Sequence, residues 1–129
     1  MASGFKFSKR SLNALSGVHP KLAAVAKRAL ELTTVDFVVT EGKRTLARQR
    51  KMVAIGASKT MNSNHLTGRA IDTVAWVGGG ISYAEKHMGE IAKAFKQAAE
   101  ELSVPVTWGG DWKSFPDGPH FQLSREVYP

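Results

Sequence analysis

The sequence contains no cysteine. Disulfide frameworks, thiol nucleophiles, iron–sulfur clusters and cysteine-ligated zinc are therefore excluded, and any metal site must draw on His, Asp or Glu. Only four His are present to supply it. Long apolar runs are missing as well. Met1 to Lys9 is short and polar, which predicts neither a secretory signal nor a membrane span, so accumulation in the cytoplasm without membrane insertion is expected. Internal repeats, low-complexity stretches and composition shifts that would mark a linker are also lacking, and the 129 residues read as one domain, 1–129. Acidic residues are scarce against basic ones, 11 to 18, giving a net charge of +7. That excess favours an anionic partner: nucleic acid, an acidic membrane face, or an anionic polymer such as cell wall.

What is present organises the chain into helices interleaved with short strands. Leu12 and Leu15 before Gly17 predict a short opening helix, and Pro20 stands where a second begins. There Leu22, Val25, Ala26, Ala29 and Leu30 recur on one helical face, with Lys21, Lys27 and Arg28 opposite. Phe37 to Thr40 is a β-branched and aromatic run ending at Gly42, a predicted strand, and Thr45 caps a third helix that Gly56 stops. The small polar stretch from Ala57 to Asn64 reads as a loop delivering His65. Ala70 to Val77 is a second strand, closed by Gly78, Gly79 and Gly80, which sit poorly inside a sheet. Ser82 and Glu85 have the spacing of a capping box ahead of a helical stripe of Met88, Ile91, Phe95, Ala98 and Leu102. Val104 to Trp108 and His120 to Leu123 complete the strands. The expected fold is α+β, a small antiparallel sheet packed with helices.

Polar clusters at strand ends and in loops are the candidates for chemistry. They are Ser63-Asn64-His65 with Asp72, Trp108 to Trp112, and Asp117 to Phe121. A loop running into a strand can bring His65 and Asp72 together, and His120 at the start of the last strand can join them. Two His and one carboxylate match a catalytic zinc, which keeps a coordination position open. Asp117 could then hold a water at the metal and take its proton. A lone His near a strand is usually a solvated or hydrogen-bonded residue, as His19 and His87 are expected to be, and spacing alone does not settle a metal role.

Ser63 to Asp72 fits the pattern SxHxxGxAxD, with five fixed positions in ten residues, and resembles the VanY-like zinc peptidases. That group contains bacterial D-alanyl-D-alanine carboxypeptidases and phage L-alanyl-D-glutamate endopeptidases. Glu41 to Thr45 is similar to the group's strand-end arginine segment, Asp117 to His120 to its acid-x-x-His segment, and Trp108 to Asp111 to a stretch of the small phage endolysins. The resemblance implies a hedgehog/D-Ala-D-Ala-peptidase-like domain with Zn2+ on His65, Asp72 and His120. It also implies Asp117 as general base and Arg44 polarising the scissile carbonyl. Gly68 would permit the turn into the strand and Ala70 leave room beside the metal. Ser63 is either a site residue or a structural one, Asp111 is the rival base or a substrate contact, and Trp112 is the cleft candidate, whereas Trp76 reads as packing. Asp rather than Glu at 117 favours the endolysin branch.

The leading expectation is thus a zinc-dependent peptidoglycan endopeptidase hydrolysing the L-alanyl-D-glutamate bond of stem peptides. It would be a monomeric phage lysis protein without a separate wall-binding domain, held in the host cytoplasm and reaching the wall through holin-type pores. The alternatives are a D,D-carboxypeptidase releasing terminal D-alanine and a basic nucleic-acid-binding module, the latter resting only on the net charge.

Overall fold

The computed structural model describes residues 4–58, 63–113 and 116–128. Its elements run α1 (Lys9–Leu15), α2 (Pro20–Leu32), β1 (Phe37–Glu41), α3 (Leu46–Ala54), a 3-10 turn (Asn64–Thr67), β2 (Ala70–Val77), β3 (Gly80–Ser82), α4 (Glu85–Leu102), β4 (Val106–Trp108), a second 3-10 turn (Gly109–Asp111) and β5 (His120–Leu123). Most starts obey local chemistry. Ser8 and Thr45 accept backbone N–H bonds at the N-termini of α1 and α3, and Pro20 opens α2 behind His19, whose Nδ1 accepts from Lys21.

The sheet is antiparallel in the order β1-β2-β5-β4, with β3 pairing the far end of β2. β5 covers Ala70–Asp72 of β2 and β3 covers Ala75–Val77. Both lie on the side of β2 away from β1, which also reaches Ala75. Strand alternation divides the two faces. Phe37, Val39, Ile71, Ala75, Phe121 and Leu123 are buried in the core with α2 and α4, where Phe95 stacks on Phe121 with ring centroids 3.9 Å apart. Asp72, His120 and Gln122 fall on the opposite face. The core thereby anchors the strands that carry the site, since each site residue alternates with a buried apolar one.

Three expectations need correction. Ser82 and Glu85 do not form a capping box: Ser82 is drawn into β3, Ala84 is the N-cap of α4 without a side-chain bond, and Ser82 Oγ accepts from Ala84 N–H and pairs with His87 Nδ1 at 2.8 Å. Gly80 does lie in a strand, because Gly78 and Gly79, both at positive φ, form a two-residue hairpin turn that returns the chain along β2. Trp76 is 43% exposed rather than packed, since it points away from the core beside its β3 partner Ile81. Part of the loop expected before His65, residues 59–62, lies outside the described residues.

Candidate metal centre and cleft

Register brings the site together. Asp72 on β2 faces His120 on β5, and on its other side Glu41 at the end of β1. His65 comes from the Asn64–Thr67 turn. Ser63 caps that turn by accepting from His65 N–H, and Gly68 ends it at φ 72°. A Cβ at Gly68 would run into the carbonyl oxygen of Gly17, so only glycine fits there. Arg44 N–H donates to His65 C=O at 2.7 Å, fastening the arginine segment to the same turn.

The hydrogen bonds of the two imidazoles assign their tautomers. His65 Nδ1 donates to Gly42 C=O at 2.8 Å, which leaves the Nε2 lone pair facing Asp72 Oδ1 at 3.4 Å. That Nε2 is buried without a hydrogen-bond partner among the described residues. His120 Nε2 donates to Gln122 Oε1 at 2.8 Å, turning Nδ1 toward the same Asp72 oxygen at 3.2 Å. The donor atoms of His65, Asp72 and His120 all lie within 4.8 Å of one another. Such a cluster calls for positive charge. Burial works against the Asp72 carboxylate, yet its hydrogen bond with His120 and the two imidazoles beside it hold it well below the usual range. Burial likewise opposes charge on His120, while Asp72 raises its pKa above the ordinary value. A proton on His120 satisfies one contact and leaves His65 Nε2 unpaired; a divalent cation satisfies all three. The group could therefore hold a metal, and two imidazoles with one carboxylate suit zinc. Gly42 C=O and Gln122 fix the orientation of the two rings.

Arg44 is 6% exposed and held rigidly. Its Nε and Nη2 donate to the two Glu41 oxygens at 2.8 Å each, and Nη1 donates to Gln49 Oε1 at 2.6 Å. Nη2 also lies 3.7 Å from Asp72 Oδ2. Among the described residues, three of its five guanidinium N–H groups are engaged and two remain. Burial works against ionised Glu41, but the Arg44 hydrogen bonds and charge lower its pKa. Asp117 behaves oppositely: burial, then the charge of Asp72, raises it.

These residues line an open cleft of about 300 Å³, with Arg44, His65, Asp72, Asp117 and His120 around it and Ser63, Trp112, Gln122 and Arg125 in its walls. The Trp112 ring centre is 5.1 Å from that of His120. Asp111 does not line the cleft; it is exposed and pairs with Lys96 Nζ at 3.0 Å. Glu41, Gln49 and Gln122 were not singled out as individual site residues by sequence reasoning. The signal for Gln49 is a polar residue on the inward side of a short helix, where it is fully buried.

The chain matches the family model of phage L-alanyl-D-glutamate peptidase over residues 3–125. It is 38% identical over 128 residues to the L-alanyl-D-glutamate peptidase of Escherichia phage T5, covering 96% of this chain and 93% of that protein. Identity to the L-alanyl-D-glutamate peptidase of Listeria phage A118 is 32% over 125 residues, 95% of this chain and 43% of the other. The crystal structure of the Serratia marcescens L-Ala D-Glu endopeptidase ChiX superimposes with a TM-score of 0.92 at 46% identity, covering 98% of this chain and 96% of that one.

Proposed function

Because the chain belongs to the phage L-alanyl-D-glutamate peptidase family, we propose that its cleft hydrolyses the L-alanyl-D-glutamate bond of peptidoglycan stem peptides with Zn2+ as cofactor. It is a peptidase of the bacterial cell wall. His65, Asp72 and His120 hold the zinc in this reading. The observation that carries it is the convergence of donor atoms of His65, Asp72 and His120 within 4.8 Å of one another, with His65 Nε2 buried and without a hydrogen-bond partner among the described residues. A bound zinc ion supplies Lewis acidity, bringing the pKa of water to about 7 and polarising a carbonyl.

The chain's own groups do the rest. Asp117, whose pKa is already raised, accepts the proton of the attacking water and returns it to the departing amide nitrogen. Arg44 directs its two spare N–H groups at the carbonyl oxygen as charge develops there, and the Glu41 and Gln49 bonds keep it aimed before substrate arrives. Trp112 forms the wall beside His120, and Ser63 fixes the turn carrying His65. The relatives are named for the L-alanyl-D-glutamate bond, which favours the endopeptidase over a D,D-carboxypeptidase. Among the described residues no helix is long and apolar enough to cross a membrane. The protein acts as a monomer and reaches the wall from the host cytoplasm through holin-type pores.

Metal analysis tests the reading. Purified protein reconstituted with zinc should hold one ion per chain, lose wall-clearing activity on chelation and regain it with Zn2+, and His65→Ala should lose the ion. A stoichiometry near zero, or unchanged zinc affinity in His65→Ala, would refute it.

A further inference from the structure

A general base must be aimed as well as present, and Asp117 is aimed by its backbone. Among the described residues its carboxylate accepts no hydrogen bond, unlike that of Glu41, which Arg44 holds in a fork. The 117–119 segment is instead tied at each residue. Asp117 N–H donates to Gly109 C=O at 2.9 Å and its C=O accepts from His120 N–H at 3.1 Å, while Pro119 C=O accepts from Thr73 N–H at 2.8 Å. Between these ties, Gly118 C=O accepts the indole Nε1–H of Trp108 at 2.8 Å. Trp108 is a fixed post for that bond. It ends β4, where it pairs with Phe121 of β5, and it packs against the core with Lys96 Nζ over its ring, 5.2 Å from the centre. A Cβ on Gly110 would enter the space of that ring, and one on Gly109 would run into the Asp117 carbonyl oxygen. The two glycines after Trp108 therefore let the ring and the Asp117 segment come this close. None of the three lines the cleft, yet a misplacement of about 1 Å at a reacting group can cost about 100-fold in rate.

We infer that Trp108 is a positioning residue for the general base: its indole N–H, bonded to Gly118 C=O, fixes the backbone that aims the Asp117 carboxylate into the cleft. The inference rests on Asp117 being the base in the function proposed above. It gives the Trp108-Gly109-Gly110 stretch a part in turnover rather than in substrate or metal binding.

A mutational cycle tests it, run with zinc-loaded protein on a soluble muropeptide containing the L-alanyl-D-glutamate bond, with zinc content and thermal midpoint measured for every variant. Trp108→Phe keeps an aromatic ring but has no N–H to donate. A benzothiophene in place of the Trp108 indole keeps the ring outline with sulfur where the N–H was, so the test stands even where Trp108→Phe folds poorly. Each change should lower kcat about 10- to 100-fold, with KM and zinc content close to wild type. In the Asp117→Asn background the same changes should lower the residual kcat by less than about 2-fold, because a base already removed cannot be misaimed. A wild-type kcat in the benzothiophene variant, or the same fold-loss with and without the Asp117 carboxylate, would overturn the inference while leaving Asp117 as the base. Loss of zinc in both Trp108 variants would overturn it too, by placing the effect on His120. Wild-type activity in Asp117→Asn would overturn the reading of Asp117 as base and the inference with it.

Discussion

Strand pairing gives Asp72 a different neighbour on each side, His120 from β5 and Glu41 from β1, and the site grows from that position. Single residues then separate ligand, base and positioning roles. Asp117→Asn keeps the shape of the side chain but cannot take a proton, so kcat should fall about 10²- to 10⁴-fold with zinc retained. The acidic limb of kcat/KM should vanish with the carboxylate. Asp111→Asn, outside the cleft and paired with Lys96, should retain activity; the reverse pattern would mean that Asp111 is the base. Glu41 is a different case. Its folded pKa is lowered, so it adds stability above its unfolded pKa of about 4.3 and loses it as pH falls through the lower folded value. Glu41→Gln removes the closer of the two carboxylates beside Arg44, leaving Asp72 at 3.7 Å, and should cost about 1–3 kcal/mol at pH 7, less than a fully buried pair because Glu41 reaches solvent. The gap to wild type in thermal midpoint, measured at equal metal load, should narrow below about pH 4 as wild-type Glu41 protonates. A gap independent of pH would show that the loss is one of packing. His65 and Asp72 were legible as candidates because Ser63 to Asp72 fits a family pattern, and His120 because Asp117 to His120 resembles that family's acid-x-x-His segment; Gln49 and Gln122 were not, because their importance comes from partners that only folding brings near.

At the scale of elements, helices read well and edges read badly. The α2 and α4 stripes are strongly periodic and both helices form. The three-residue strand β3 leaves almost no pattern, and without it Ser82 looked like a helix cap and Trp76 like core. The turn bearing His65 depends on a single backbone conformation. Gly68→Ala puts a Cβ at φ 72° against the Gly17 carbonyl. It should lower stability by more than about 1 kcal/mol, since strain and crowding act together, and should weaken zinc binding by displacing His65. Thermal unfolding with a zinc titration checks both. Unchanged stability would mean that the turn and the Gly17 loop shift apart freely.

Across the molecule, an α+β fold was legible from the alternation of helix and strand signals, whereas the packing of α2 and α4 on one side of the sheet appears only in the folded chain. The cleft was not, because it is assembled from β1, β2, β5 and two turns whose spacing in the chain exceeds anything a local pattern encodes. The net charge of +7 left nucleic acid, an acidic membrane face and cell wall open, and membership of the phage L-alanyl-D-glutamate peptidase family favours the cell wall. The central claim is that this cleft cuts between L-alanine and D-glutamate. It is tested most directly by digesting purified peptidoglycan with the zinc-loaded protein and identifying the products by mass spectrometry. The expected products are peptides with a new N-terminal D-glutamate and glycan strands retaining only L-alanine. Release of free D-alanine from the far end of the stem, with the L-alanyl-D-glutamate bond intact, would contradict it.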